Sequence, residues 1–375
     1  MKQYPFLNLA LANKPIEQEL KLAACKVIES GIYLHGEQTQ LLETEMAKRC
    51  QTRFCIGVSN GLDALKLIFR AYKELGLLHS GDKVIVPANT FIASVLSITD
   101  NNLVPVLCEP STSTMNLDTS KLSELLDDKV KAILPVHLYG TPCCDNTLVR
   151  FAQEHQLLIV EDNAQAFGAK AATCGLHGTC HTGGLGHASG ISFYPTKNLG
   201  ALGDAGAVLT NDAQLAEVVK SLANYGSASK YHNVYKGYNC RIDELQAAML
   251  RVKLAHIDAE TERRNVIARA YNAHITNLLV TKPAIFPDML QVWHQYVIRV
   301  PNRDQFRNYL ADYGMLTGIH YATPIHRQPC YSELRKCNLP VAERMAAEVV
   351  SLPIAHPITE SDAIEISQII NDFKL

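Results

Sequence analysis

Hydrophobic positions along the chain recur at two different periods, and the switching between them lays out most of the fold. From Pro15 to Ser30 the apolar residues Ile16, Leu20, Ala23, Ala24, Val27 and Ile28 follow helical spacing, and Gly31 stops the stripe. A second helix is predicted over about Glu37–Lys48. Phe54-Cys55-Ile56-Gly57-Val58 then reads as a buried strand, which Ser59-Asn60-Gly61 turns into a helix with Leu62, Leu65, Ile68 and Phe69 inward. Further strands are predicted at Lys83–Pro87, Val104–Cys108, Ala132–Pro135 and Leu157–Val160, separated by helices around Phe91–Asp100, Ser120–Leu126 and Asn146–His155. Ile191, Phe193 and Tyr194 read as a short buried strand ended by Pro195; Ala207–Thr210 reads as another, followed by a helix over Asp212–Ala223 capped by Asn211. Alternation of this kind gives an α/β fold with a mostly parallel sheet covered on both faces.

Beyond it the pattern changes. Asn224–Asn239 is a long irregular stretch, and Ile242–Ala270 is strongly helical and charged. From about Asn272, a half-buried strand is predicted over Val292–Val300, a helix over Arg303–Tyr313 and an extended segment over Gly318–Tyr321. Two units are therefore expected: a large one over residues 1–250 and a smaller α+β one over 251–375, with the N-terminal segment placed to pack on the smaller.

Composition narrows the function. The formal net charge is −2 with 19% charged residues and no basic run, which excludes a phosphate-backbone reader as the main role. The first twelve residues lack a signal-peptide layout and no stretch near 18 consecutive apolar residues occurs, so a soluble, cytoplasmic protein with no membrane or nucleic-acid partner is expected. Eleven cysteines, an odd number scattered through predicted elements, suit a reducing compartment better than a disulfide framework.

The candidate chemistry gathers where strands end. Lys197 follows Pro195 at a fixed place, with Gly200, Gly203 and Gly206 after it allowing close approach of something bulky. It is a possible Schiff-base nucleophile, although an exposed loop lysine fits this stretch alone equally well. Asn60-Gly61 opens a helix, and the free N–H groups there would cradle a phosphate. Asp162 closes an apolar run and needs a cationic or hydrogen-bonding partner, with a helix cap or ion pair as the alternative. The rims of a parallel sheet would bring Asn60-Gly61, Asn89-Thr90-Phe91, His137–Gly140 and Glu161–Gln165 together. Tyr33, His35, His320, Tyr321 and His326 could face a ligand or be ordinary packed residues. Cys174, His177, Cys180, His181 and His187 offer soft metal ligands, but one compact run is unlike the paired spacing of zinc sites, so a Gly/His surface loop without metal is the adopted reading.

Five blocks in register carry a family resemblance: Val58–Leu65, Pro87–Ala93, Glu161-Asp162-x-Ala164-Gln165-Ala166, Ser192–Gly200 and Gly237-Tyr238-Asn239-x-Arg241-x-Asp243-Glu244-x-Gln246-Ala247-Ala248. Together they resemble the pyridoxal-phosphate-dependent nucleotide-sugar aminotransferases of the DegT/StrS type. The resemblance implies the aspartate aminotransferase fold (fold type I), a seven-stranded sheet, and a homodimer with active sites shared at the interface. It implies that Lys197 forms the Schiff base, Asp162 faces the pyridine nitrogen and Gln165 the phenolic oxygen. It further implies that Phe91 stacks on the ring, that Ser192, Asn60 and Gly61 contact the phosphate, and that Asn239 does so from the partner subunit. His320 and Tyr321 match a segment near the sugar; Tyr33, His35, Tyr194 and His326 are the other candidate substrate contacts.

The chain departs from the pattern at Asn163 and Phe167, where many relatives have Ala and His, at Tyr321-Ala322-Thr323-Pro324, and in the 171–187 loop. The form Asn60-Gly61-Leu62-Asp63-Ala64-Leu65 with Val106–Pro110 is most like the enzymes that aminate dTDP-linked 3-keto-6-deoxyhexoses, with 4-keto sugars as the alternative. L-glutamate would be the donor, and surface polysaccharide (O-antigen) or glycoside biosynthesis the setting. A dehydratase of the same scaffold would carry histidine at Lys197, and a regulator would need an added DNA-binding module.

Overall fold

The computed structural model describes residues 2–374. Seven strands form the main sheet: β1 (Phe54–Val58), β2 (Lys83–Pro87), β3 (Val104–Cys108), β4 (Val130–Ile133), β5 (Leu158–Asp162), β6 (Ala188–Ser192) and β7 (Gly206–Thr210), in the order β1-β7-β6-β5-β4-β2-β3. Only β7 runs against its neighbours, β1 and β6; the other pairs are parallel. The carboxyl ends of β1, β2, β5 and β6 therefore share one rim.

Alternation along each strand sends neighbouring residues to opposite helical layers. Val84, Val86, Val160 and Val208 pack with Leu65, Ile68 and Phe69 of the helix Gly61–Glu74 and with Leu215 and Val219 of the helix Ala213–Ala223. Ile85, Ile133 and Ile159 face the opposite layer, with Leu148 and Ala152 of the helix Asn146–Glu154. Ile191 and Leu209 meet Leu42 and Met46 of the helix Glu37–Cys50 on that side.

Strand β6 starts earlier than its hydrophobic residues suggest. Ala188-Ser189-Gly190 looks like loop sequence, yet a Cβ at Gly190 would lie 2.7 Å from Leu65 Cδ2, so the missing side chain lets the helix seat directly on the sheet. Pairing ends at Ser192, and Tyr194 lies outside the strand, 52% exposed, instead of buried in it. The cap of the helix Ala213–Ala223 is Asp212 and not Asn211, because the Asp212 carboxylate accepts from the N–H groups of Gln214 and Leu215. Residues 224–239 are less irregular than expected, since Ser227–Ser229 and His232–Asn233 pair as a short hairpin.

The helix Glu244–His274 is continuous for 31 residues. Its first turns pack Ala247 and Leu250 toward the main sheet, while Ile267 and Tyr271 join a separate core with Tyr296, Ile298, Phe306, Val350 and Ile366. That second core surrounds the strand pair Tyr296–Arg299 and Val349–Leu352, and includes Tyr4, whose N–H donates to Gly314 O at 2.9 Å. The expected strand 292–300 is shorter because Trp293, at φ 45, breaks the extended run and sends residues 292–295 toward the rim of the main sheet.

In the 171–188 loop, Cys174 and Cys180 are joined as a disulfide, with Cα atoms 4.2 Å apart, a pair not anticipated from the sequence, while the other nine cysteines are free. His187 Nδ1 accepts from the Ile159 N–H at 2.9 Å. Among the described residues, no group of three or more His, Cys, Asp or Glu side chains is placed to hold a metal ion, and no helix is long and apolar enough to cross a membrane.

Candidate active site

The shared rim opens into a cavity of ≈ 640 Å³. The main sheet side supplies Asn60, Gly61, Thr90, Phe91, Asp162, Gln165, Ser192, Tyr194, Lys197 and Asp204; His294, Gln295, His320 and Tyr321 close it from the C-terminal stretch.

At one end the helix Gly61–Glu74 points its N-terminus into the cavity. A helix start leaves N–H groups without intrahelical partners. Asn60 Oδ1 takes that of Asp63 at 2.8 Å and Asn60 O that of Ala64, which leaves those of Gly61 and Leu62 for an anion. The Asn60 side chain is thus spent as a helix cap, its Nδ2 donating to Asp63 Oδ2 at 2.8 Å, and the backbone beside it forms the cradle. Ser192 completes it. A Cβ at Gly61 would come within 2.6 Å of Ser192 Cβ, so only glycine lets the helix start approach the end of β6 this closely.

At the floor, Asp162 is buried at the end of β5 and doubly held. Its Oδ2 accepts from Ser94 Oγ at 2.7 Å, its Oδ1 accepts from the Ala164 N–H at 3.1 Å, and Thr90 Oγ1 lies 2.7 Å behind Ser94. Gln165 accepts the Tyr139 N–H through Oε1 at 2.8 Å and donates Nε2–H to Tyr321 Oη at 3.1 Å, which fixes which end of its amide faces which partner. Phe91 and Tyr321 pack on each other at the cavity's edge, ring centroids 5.4 Å apart.

Lys197 follows the loop after β6, its N–H donating to Tyr194 O at 2.8 Å. Burial pushes its ammonium down to about 8, against the opposing pull of Asp162, so a neutral amine is accessible near neutral pH. Burial, then the charge of Lys197, holds His320 down at about 4; His294 is also held well below its ordinary range by burial and by Lys197. Both imidazoles are therefore uncharged at neutral pH. His320 Nδ1 lies 2.7 Å from Ser351 Oγ, and His294 Nδ1 lies 3.2 Å from Asn198 Oδ1.

Three other sequence-identified residues lie away from this cavity in the single chain. Tyr33 and His35 sit on an exposed turn tied to Asp243 and Glu244, and Asn239 is exposed on a bridge to Asn224. His326 is a correction. It is fully buried behind the cavity with Nε2 2.8 Å from Glu343 Oε1, and so cannot meet a ligand there. Conversely, Ser94, Asp204, His294 and Gln295 were not singled out by the sequence, because Ser94 looks like a polar interruption of a buried helix and His294 lies within what reads as a strand.

An amine and a carboxylate in one cavity, an aromatic face beside them and an anion cradle at the end define a seat for a phosphorylated, ring-bearing carbonyl cofactor. Residues 14–371 match the DegT/DnrJ/EryC1/StrS aminotransferase family, and the chain belongs to it. The chain is similar to the dTDP-3-amino-3,6-dideoxy-alpha-D-galactopyranose transaminase of Aneurinibacillus thermoaerophilus, 44% identical over 98% of this chain and 99% of that one. Among solved structures it resembles Streptomyces venezuelae DesV in complex with a ketimine intermediate (TM-score 0.93, 38% identity, covering 99% of this chain and 98% of that one). It also resembles Bacillus subtilis NtdA with bound cofactor PMP (TM-score 0.89, 26% identity, 99% and 86%). The protein is a pyridoxal-phosphate-dependent aminotransferase, and the residues described fit that cofactor. The Gly61 and Leu62 N–H groups with Ser192 suit its phosphate, the face of Phe91 one side of its ring, Asp162 its pyridine nitrogen and Lys197 its aldehyde carbon.

Proposed function

We propose that the protein transfers the amino group of L-glutamate to a dTDP-linked keto-deoxysugar, at C3 of a 3-keto-6-deoxyhexose, as the 44% identical relative's name describes for its own product. The observation that carries the transaminase reading is the depressed Lys197 amine, about 8, in the same cavity as the doubly held Asp162. When bound, pyridoxal phosphate supplies the electron sink that lets an amino group pass between two carbonyl carbons. Lys197 Nζ takes the proton from the amino-bearing carbon of the donor and returns one to the former carbonyl carbon of the acceptor. Asp162, kept in place by Ser94 and the Ala164 N–H, presents a carboxylate to a protonated ring nitrogen. Phe91, packed beside Tyr321, offers one flat face against which the ring of the cofactor would lie. His320, Tyr321 and Tyr194 line the same cavity, and we assign them to the sugar.

The reading extends to assembly. Ile32, Tyr33 and Leu34 are exposed apolar residues, and Leu34 bridges Asp243, four residues on from the exposed Asn239, which supports a homodimer in which each chain completes its partner's site. We further read residues 251–375 as a smaller unit set on the large one. Incubation of the purified protein with L-glutamate and a panel of dTDP-3-keto and dTDP-4-keto sugars, read by mass and NMR, tests the assignment. Amination at C3 supports it; amination at C4 alone replaces the substrate, and no amination of any sugar removes it.

A further inference from the structure

His294 lines the main cavity, yet the reading above gives it no task. Its backbone is pinned from two sides. The Val292 N–H donates to Gly140 O at 3.0 Å and the Gln295 N–H to Tyr139 O at 3.3 Å, so residues 292–295 lie along the turn at Tyr139-Gly140. The approach is close: a Cβ at Gly140, which holds φ +96, would meet the backbone nitrogens of Trp293 and His294 at 2.8 Å. From the other side the buried Arg264 donates through Nη1 to Trp293 O at 3.0 Å and His294 O at 3.4 Å.

The imidazole itself is set by Asn198, the residue after Lys197. Asn198 Nδ2 donates to Val292 O at 2.7 Å, which leaves its Oδ1 facing His294 Nδ1 at 3.2 Å. A carboxamide oxygen only accepts, so Nδ1 carries the hydrogen. Burial, then the charges of Lys197 and Arg264, holds the imidazole well below its ordinary range, so it is neutral and Nε2 carries none. No described residue donates to Nε2. The result is an immobile, acceptor-only atom on a side chain that borders the same cavity as Lys197 and Asp162. His326 shows what a merely packed histidine looks like in this chain: it is buried away from the cavity, with Nε2 taken by Glu343.

A buried acceptor left without a donor is costly, and the two substrates differ in what they offer it. The carboxylates of an amino-acid donor bring only lone pairs, which Nε2 disfavours. A sugar brings hydroxyl hydrogens.

We propose that His294 is a specificity-determining residue of the acceptor half-reaction, whose Nε2 accepts the hydrogen bond of a hydroxyl on a carbon next to the keto carbon of the sugar. The inference rests on the keto-sugar reading and deepens it. In a 3-keto-6-deoxyhexose the hydroxyls in question stand on C2 and C4.

The holoenzyme is supplied with L-glutamate and, in turn, a dTDP-3-keto-6-deoxyhexose, its 2-deoxy analogue and its 4-deoxy analogue. One of the two analogues should lose about tenfold to a hundredfold in kcat/KM, which identifies the hydroxyl, because a site built to accept from it is left unpaired without it. Calorimetric dissociation constants of the corresponding aminated products on the holoenzyme should show the same loss. His294→Phe, with its circular dichroism matched to wild type, should bring the hydroxyl-bearing sugar and that analogue to within about twofold of each other in both measurements. If His294→Phe does not fold, Asn198→Leu carries the comparison: it keeps the imidazole but frees its hydrogen to move to Nε2, and should lower the same ratio. If the acceptor proves to be a 4-keto sugar, its 3-deoxy analogue takes the place of the pair. Absence of amination from every sugar removes the keto-sugar reading and this inference with it. Amination with equal kcat/KM for the hydroxyl-bearing and deoxy sugars in wild type overturns the inference alone, as does full discrimination retained in the folded variant.

Discussion

Ser94 donates its hydroxyl hydrogen to Asp162 Oδ2 at 2.7 Å inside the protein and, with the Ala164 N–H on Oδ1, holds the carboxylate at the floor of the main cavity. A hydrogen bond to a charged group contributes about 1.5–3 kcal/mol. Ser94→Ala should therefore lower kcat about tenfold to a hundredfold with the fold intact. Thermal melting and steady-state kinetics check it, and an unchanged kcat would make Ser94 a packing residue only.

Lys197→Ala should abolish turnover and the visible absorption band of the lysine-bound cofactor while circular dichroism stays unchanged. Asp162→Asn keeps the shape but not the charge, and should cost roughly 10²–10⁴ in kcat, the range for losing about 3–5 kcal/mol of charge stabilisation. A loss below tenfold would reduce Asp162 to a structural carboxylate.

The pH dependence follows from Lys197 itself. Its folded value of about 8 lies below that of an unfolded lysine, so between the two the unfolded chain binds more protons and stability rises with pH. In the cofactor-free protein, Lys197→Met should raise the melting temperature at pH 7, with the gap narrowing as pH climbs through 8 toward 10. Cofactor capture, which needs the neutral amine, should quicken over the lower part of the same window. A capture rate flat from pH 6 to 9 would contradict the depressed amine.

Shared sites have a mixing signature. If Asn239 completes the partner's cradle, Lys197→Ala and Asn239→Ala chains allowed to exchange form dimers with one doubly defective site and one intact site, recovering up to about a quarter of wild-type activity for statistical mixing. No recovery, with exchange shown by size-exclusion of differently tagged chains, places Asn239 on its own subunit.

Gly190→Val would drive a branched side chain into Leu65, where even a Cβ meets Cδ2 at 2.7 Å. Overpacking of this kind costs about 1–3 kcal/mol, read as a lower urea midpoint; a midpoint equal to wild type would show that the helix Gly61–Glu74 can shift without penalty.

Sheet strands with β-branched runs, such as Lys83–Pro87 and Val104–Cys108, were legible because burial on both faces demands continuous apolar residues. Strand β6 was misplaced because its first residues are small for a contact that sequence does not display, the seating of Leu65 on Gly190. Lys197, Asp162 and Gln165 stood out because they end or follow apolar runs. His294 and Ser94 did not, since their roles exist only once residues 292–295 turn back to the rim and the helix Ile92–Thr99 lies over Asp162. The disulfide Cys174–Cys180 was missed for a related reason: a six-residue separation constrains nothing until the loop brings the two Cα atoms to 4.2 Å.

The main cavity is assembled from two stretches that are far apart in the chain. Within one chain, residues 60–204 supply the Gly61–Leu62 cradle, Ser192, Asp162 and Lys197, while 294–321 contribute the opposite wall. Chemistry and choice of acceptor are in this sense separately heritable. Tyr321 ties the second stretch to Gln165 of the first, so exchange within 290–325 that keeps Tyr321 is expected to redirect the acceptor while leaving Lys197 and Asp162 in place. A chimera carrying a relative's 290–325 should keep its colour and change its taste.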